Sequence, residues 1–290
     1  MASFRHWIEY IAFRATAALI RALPLETASR LSGAGWRRVA PWLSRHRRAL
    51  DHIAIAFPEK KFEEHEQIAL GMWENLGRVF AESFHLDTIA KAGRVSFAAG
   101  SEPENVLPPD RRFIAVAPHF GNWEAAAIAL SLAGARAAGV YQRVKNPLVE
   151  NYVRSLREPF YPGGLMRKNS GAARQVLALV RNGGSFATMG DLRDISGVAV
   201  PFFGRPAPSV TFPALAARTL GVPLVAGGVA RVPSGGQNVR FEVALRVIPV
   251  ARTEDRDADV AAATAALNAV FEEFIRERPE QWMWAHQRWG

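Results

Sequence analysis

The chain contains no cysteine among its 290 residues. That excludes disulfides, a thiol nucleophile and every thiolate metal site, and it fits a reducing compartment. No serine sits in a G-x-S-x-G elbow, so a covalent acyl-serine by that route is not signalled. Walker and G-x-G-x-x-G loops are missing too, which removes the usual phosphate cradles of nucleotide chemistry. Long uncharged apolar runs are also lacking. Residues 7–23, "WIEYIAFRATAALIRAL", would make roughly 25 Å of helix against a hydrocarbon core of ~30 Å, and Glu9, Arg14 and Arg21 interrupt them. No apolar core with a small-residue cleavage site follows, so the segment does not read as a signal peptide.

What is present is a globular composition with an uneven charge. Residues 1–50 hold nine arginines against Glu9 and Glu26, a net +7 of the chain's +9. A basic end of this kind expects an anionic partner. Trp7, Ile8, Ile11, Ala15, Ala18, Leu19 and Ala22 recur at helical spacing, with Arg14 and Arg21 seven apart on one face. An amphipathic helix lying in a membrane interface fits this pattern, anionic lipid attracting the arginines. Trp36 and Trp42 beside "RR" and "RHRR" repeat the aromatic-plus-basic texture. Nucleic acid is not the expected partner, because the basic residues interleave with a bulky apolar face.

Residues 1–100 read as a helical, membrane-associating lobe and 101–290 as an α/β core, one continuous domain. "FEEHEQIALGMWENLGRVFAESFHL" (62–86) is a long amphipathic helix with acids in its first turn. Thereafter short apolar runs alternate with helical ones. "FIAVAPH", "ARAAGVY", "SFATMGD" and "VPLVAGGVARV" read as buried strands, and "RFEVALRVIPV" as an edge strand after the turn "SGGQN". Helices are expected at "EAAAIALSLAGA", "GAARQVLALVRNG", "SVTFPALAARTLG" (Ser209 or Thr211 as cap) and Asp257 to Arg278. The expected fold is a mixed, mostly parallel sheet flanked by helices.

In such sheets working residues gather where strands end and helices begin. His119 ends a strand in "FIAVAPHFGNWEAAAIAL", Asn122 can cap the next helix, and Glu124 falls in its first turn. A loop that folds Glu124 back onto one imidazole nitrogen leaves the other free to take a proton. The spacing alone equally fits a strand-ending histidine that is merely hydrogen-bonded. His6, His46, His52, His65 and His85 read as surface or partner-facing, and no grouping suggests a metal or calls for a cofactor. Of the adjacent pair Phe202 and Phe203, one is expected to face outward.

The run "HFGNWE" (119–124) resembles the signature of the lysophospholipid acyltransferase superfamily, in particular its lipid A branch of lauroyl and myristoyl acyltransferases. "NPLVENYVRSLR", "VPFFGRPAPSVTFPALAART" and "RPEQWMWAHQRW" look like later blocks of that family in the same order. "ALDHIAIAFPEK" and "ENLGRVFAESF" look like its helical first half, so the likeness covers nearly the whole chain. It implies transfer of an acyl chain from acyl carrier protein to a glycolipid hydroxyl, in the late acylation of a lipid A precursor at the cytoplasmic face of the inner membrane. By this resemblance His119 is the base and Glu124 its orienter. The resemblance assigns no oxyanion donors; backbone N–H groups of the "FGNW" turn are physically reasonable candidates. Asn122, Arg143, Asn146, Arg167 and Asp191 are the expected substrate-binding residues. Two departures stand out: Arg143 sits one place later than in the family's Tyr-Arg-Pro, and Gly190–Asp191–Leu192 keeps only the aspartate of Pro-Asp-Gln. Asp191 is preferred over Arg193 and Asp194 as a cleft residue. Rival readings are acylation of another glycolipid such as a phosphatidylinositol mannoside, or of a glycerolipid, a histidine-dependent thioesterase, and a non-catalytic lipid-binding protein.

Overall fold

A computed structural model describes residues 3–169, 171–233 and 238–289. The strands are β1 (Val95–Phe97), β2 (Ile114–Ala117), β3 (Ala137–Tyr141), β4 (Gly164–Arg167), β5 (Ser185–Met189), β6 (Arg193–Phe202), β7 (Arg205–Ser209), β8 (Leu224–Val232) and β9 (Arg240–Ile248). Seven form the central sheet in the order β1-β9-β8-β2-β5-β3-β4, while β6 and β7 make a separate antiparallel hairpin. Every neighbouring pair in the central sheet is parallel except β8 and β9. The apolar runs sit in the middle because both faces of the sheet are covered. The expected edge strand is therefore interior: β9 is paired on one side by β8 and on the other by β1. A three-residue strand carries too short an alternation to show in sequence, and it also means that the first hundred residues are not all helical.

The helices are α1 (Phe4–Ala22), α2 (Leu25–Val39), α3 (Ser44–Ala56), α4 (Phe62–Glu82), α5 (Leu86–Lys91), α6 (Pro103–Val106), α7 (Ala126–Leu132), α8 (Pro147–Arg157), α9 (Ala172–Arg181), α10 (Phe212–Leu220) and α11 (Arg256–Glu277). Residues of α9, α10 and α11 share one core with Ile53 of α3, Met72 and Trp73 of α4, and Trp282, Trp284 and Trp289 of the tail. Residues of α5 and α7 pack with β1 and β9 in a second core. Helices thus cover both sides. From β2 the chain crosses to β3 beyond β5, and from β5 it passes to β8 beyond β2. The β2/β5 crevice is accordingly where the direction of winding reverses, and such sheets bind ligands at the carboxyl ends flanking that point.

Thr211 precedes α10 but makes no side-chain cap, and Ser209 lies in β7. The turn expected at "SGGQN" lies mostly outside the described residues. Phe202 and Phe203 are both buried, contrary to expectation. They lead into a turn in which Phe203 (φ 49°) and Gly204 (φ 70°) both have positive φ. The strain on Phe203 is offset by ring contacts with Phe57, Trp284 and Trp289, and its N–H donates to Glu272 at 2.7 Å. His46, His52, His65 and His85 are likewise buried rather than partner-facing. Three of them meet backbone carbonyls: His52 that of Trp284, His65 that of Phe57 and His85 that of Ile20. His46 instead accepts from the Trp73 indole N–H at 3.0 Å.

Helix α1 stands apart. Ala17 is its only buried residue, while Phe4, Ile8, Ile11 and Leu19 are 81%, 54%, 63% and 71% exposed. Two of its three arginines turn toward the rest of the protein: Arg21 pairs with Asp87 and donates to the Phe84 carbonyl, and Arg14 lies 4.5 Å from the Tyr152 ring, while Arg5 pairs with Glu9 of the same helix. Asn146 tethers the helix through its amide, which donates to the His6 carbonyl (2.8 Å) and to Glu9 (3.0 Å). No helix among the described residues is long and apolar enough to cross a membrane.

One buried ion pair joins α4 to the sheet. Glu82 is fully buried and accepts two bonds from Arg231 of β8 (2.6 and 2.8 Å), one from Ser29 (2.5 Å) and one from Asn122 (2.8 Å). Removing only the carboxylate strands the guanidinium in a dry site, the case in which a buried pair is costly to break. Glu82→Ala is therefore expected to lower unfolding stability by about 3 kcal/mol, read from the urea midpoint at unchanged m-value. A loss below about 0.5 kcal/mol would place the pair among ordinary surface contacts.

Candidate active site

His119 lies two residues beyond β2, and Asp191 lies two residues beyond β5. The strands are parallel neighbours with Ala117 opposite Met189, so the register brings the two side chains to the same place. The Gly190 N–H donates to the Ala117 carbonyl at 2.9 Å, continuing the ladder toward the pair. A Cβ at Gly190 would overlap the Val116 side chain, which explains why glycine precedes the aspartate. Asp191 takes the His119 backbone N–H on Oδ2 (2.7 Å) and faces His119 Nδ1 with Oδ1 at 2.8 Å. The Trp282 indole N–H donates to the same Oδ2 at 2.8 Å. A carboxylate only accepts, so Nδ1 carries the proton and Nε2 is left as the base.

The electrostatics follow from burial and this pairing. Asp191 is 3% exposed, which alone would raise its pKa, but His119 and the three donated bonds hold it down to about 2. His119 is 16% exposed. Burial disfavours its charge, yet Asp191 and, more weakly, Glu124 outweigh that and raise its pKa above the ordinary 6.5.

Glu124 does not orient the imidazole. Its carboxylate is held in a bidentate pair by Arg157 of α8, with Nε donating to Oε2 at 2.7 Å and Nη2 to Oε1. The reason is local. Asn122 Oδ1 accepts the N–H groups of Glu124 (3.0 Å) and Ala125 (3.2 Å), which turns the helix start so that Glu124 points to α8. Glu124 acts on His119 through its charge, not through a bond. The "FGNW" turn is clamped as well. The N–H groups of Phe120, Gly121 and Asn122 donate to the carbonyls of Pro118, Gln281 and Val229. Three of the four amides expected as oxyanion donors are therefore already used. Gly121 (φ 56°) is required there, because a Cβ would overlap the Val229 carbonyl.

Trp123, Glu124 and Arg157 are among the residues that line an apolar cavity of about 230 Å³. Its walls are Phe13 of α1, Leu76, Val79 and Phe80 of α4, Phe84, Leu86 of α5, and Val153 and Leu156 of α8. The Trp123 ring lies 5.4 Å from that of His119 in an edge contact, so the cavity and the imidazole share this wall. Tyr161, half-buried near Glu124, has its phenol pushed up to about 12 by desolvation and by the Glu124 charge, and stays protonated.

The other expected substrate residues sort into two groups. Asn122 and Asn146 spend their amides on capping and tethering, Asn122 with Glu82 and Asn146 with Leu148 N–H and α1, so they act as framework. Arg143 and Arg167 do come together, but on Glu150, which is 2% exposed and also accepts from the Tyr141 hydroxyl. Burial would raise the Glu150 pKa; Tyr141 and the two arginines lower it instead. Both guanidinium groups remain about half exposed (58% and 49%). Sequence reasoning missed Arg157, Glu150 and Trp282 as parts of this site. The only signal for them was indirect: Glu150 and Arg157 are seven apart, two turns along one face of α8.

A basic imidazole fixed by a buried carboxylate, beside an apolar cavity and on the switch point of an α/β sheet, is suited to deprotonating a hydroxyl of a lipid-like substrate. The sequence model of the bacterial lipid A biosynthesis acyltransferase family matches residues 1–290, the full chain. The chain belongs to that family, and it is an acyltransferase of lipid A synthesis. A comparison with curated proteins gave no match.

A folded-state pKa above that of the unfolded chain means that imidazolium stabilises the fold below pH 6.5 and ceases to as pH rises through the folded value. The His119 ring resonances are thus expected to titrate above 6.5 in the intact protein. In Asp191→Asn burial acts without its counterweight, and the titration is expected to fall below that value. An unchanged titration would show that the pair is not what sets the basicity.

Proposed function

We propose that this enzyme moves a fatty acyl chain from acyl carrier protein to a hydroxyl of a lipid A precursor, in a late acylation step. The observation that carries the reading is the His119–Asp191 pair beside the apolar cavity. The cavity holds the acyl chain, with the thioester at the Trp123 wall. His119 Nε2 removes the acceptor hydroxyl proton as the oxygen attacks the thioester carbonyl. The C–O bond forms, the C–S bond breaks, and Nε2–H returns the proton to the departing sulfur. Asp191 keeps Nδ1 protonated and offsets the imidazolium charge. Glu124 adds negative charge near the ring and, with Arg157, fixes part of the cavity wall. No covalent enzyme intermediate is required.

The acceptor enters from a membrane surface in this reading, at the cytoplasmic face of the inner membrane. The exposed row Phe4, Ile8, Ile11 and Leu19 supports it, as does Phe13 on the same helix, which lines the cavity. Helix α1 lies in the interface by its apolar side. Its attraction to lipid is chiefly hydrophobic, since Arg14 and Arg21 are engaged with the protein and the exposed Arg5 is paired with Glu9.

Purified enzyme given a carrier-protein thioester and a lipid A precursor is expected to yield acylated lipid by mass spectrometry. His119→Ala is expected to lose at least ~100-fold of that activity while keeping its thermal transition. Release of free fatty acid alone, equal with and without acceptor, would assign a thioesterase instead. Ile8→Glu/Ile11→Glu is expected to abolish co-sedimentation with anionic vesicles. Vesicle binding that survives the double substitution removes α1 from the interface.

A further inference from the structure

The His119 ring has a second neighbour besides Trp123. The ring of His286, from the tail after α11, lies 5.0 Å away and tilted by 31°. The tail is held in place there: the His286 N–H donates to the Met283 carbonyl, and the Met283 N–H to the His119 carbonyl. Helix α3 runs alongside. Arg48 Nη1 reaches the Ala285 carbonyl at 3.4 Å, next to His286, and Arg45 is one turn earlier on the same face.

These two arginines differ from the other guanidinium groups around the site. Arg157, Arg231, Arg143 and Arg167 each answer a buried or half-buried carboxylate. Among the described residues Arg45 and Arg48 have no ion-pair partner, both are exposed, and the first turn of α3 holds no acid. Cations without an anion at that end of a helix repel its dipole, so the arrangement is stable only at a cost. Burial, the charge of His119 and that of the two arginines depress the His286 pKa to about 4. At neutral pH His286 is thus an uncharged ring with one N–H to give, beside two uncompensated cations.

We propose that Arg45, Arg48 and His286 form a binding site for a phosphate ester on the His286 side of His119. The proposal rests on the reading of His119 as the reacting centre. Two guanidinium forks and a neutral imidazole suit a tetrahedral dianion or a phosphodiester, where a single carboxylate would leave a cation unmatched. The layout suits an amphiphilic substrate pair: apolar cavity by Trp123, phosphate by His286, and the base between them. The ester has two available sources, the headgroup of the acceptor glycolipid and the phosphopantetheine arm of the acyl donor.

The test uses the full-length enzyme and Arg45→Gln/Arg48→Gln, in which both changes are at exposed positions. First, inorganic phosphate is titrated while the His286 imidazole resonances are followed; the wild type is expected to shift and saturate, and the double variant to stay flat. This arm reads binding whether or not acyl transfer is observed. Secondly, KM is measured for acceptor with and without its phosphate, and for carrier-protein thioester against a simple thioester lacking the phosphodiester. The double variant is expected to raise KM about tenfold for whichever substrate supplies the phosphate, with kcat changed less than about threefold. Deleting the phosphate from that substrate is expected to raise the wild-type KM equally and leave the variant unaffected. Identical phosphate titrations in the two proteins overturn the proposal, as does a KM unchanged for both substrates.

Discussion

The pairing of His119 with Asp191 is the constraint around which the rest of the site is arranged. It is a product of sheet register before it is a product of side-chain chemistry. Two parallel strands end together, and each carries its polar residue the same distance past the end. The aspartate then binds both the backbone and the ring of the histidine, which fixes the tautomer and the ring plane at once. Trp282 adds a third donor from the tail, so an isolated buried carboxylate becomes a satisfied one. Without those partners burial would raise the Asp191 pKa, and without the Asp191 charge burial would lower that of His119.

The loop between His119 and Glu124 inherits its shape from three directions. Helix α4 supplies Asn75, which donates to the Gly121 carbonyl, and Glu82, which receives Asn122. Strand β8 supplies the Val229 carbonyl and Arg231, and the tail supplies the Gln281 carbonyl. Each contact comes from a different part of the chain, so the six-residue motif cannot hold its conformation alone. The helical first part of the chain therefore belongs to the site itself. It is one wall of the cavity and one jaw of the clamp.

Much of this was legible in the sequence, for definite reasons. The main strands showed as unbroken apolar runs because both faces of the sheet are covered, and "HFGNWE" stood out because a strand end, a cap and an acid follow one another closely. What escaped notice was non-local. Asp191 is 72 residues from His119, and only the strand order makes them neighbours. With that order unknown, Glu124 was the nearer carboxylate in sequence and took the role that Asp191 holds in space. The buried histidines were misread for a related reason: helical spacing places a ring on a face, but not the carbonyl that satisfies it. Strand β1 was invisible because three residues carry no period.

The distribution of charge gives the site its polarity. Around the site Glu82 and Glu124 each meet one arginine and Glu150 meets two, so the charge of each of these carboxylates is offset locally. Cancellation of this kind fixes geometry but leaves little field to attract a ligand. Long-range attraction must come from charges that remain unmatched, and the excess of arginine over acid in residues 1–50 is where they are concentrated. Of those arginines, Arg21 is spent on Asp87 and Arg14 on tyrosine rings, which narrows the field further. Of the arginines there that make no ion pair among the described residues, Arg45 and Arg48 of α3 lie against the tail that carries His286, which brings part of the unmatched charge close to His119. In the reading proposed above, the exposed apolar row of α1 and the arginines of α3 bracket His119, one suited to the part of a lipid that avoids water and the other to the part that carries its charge.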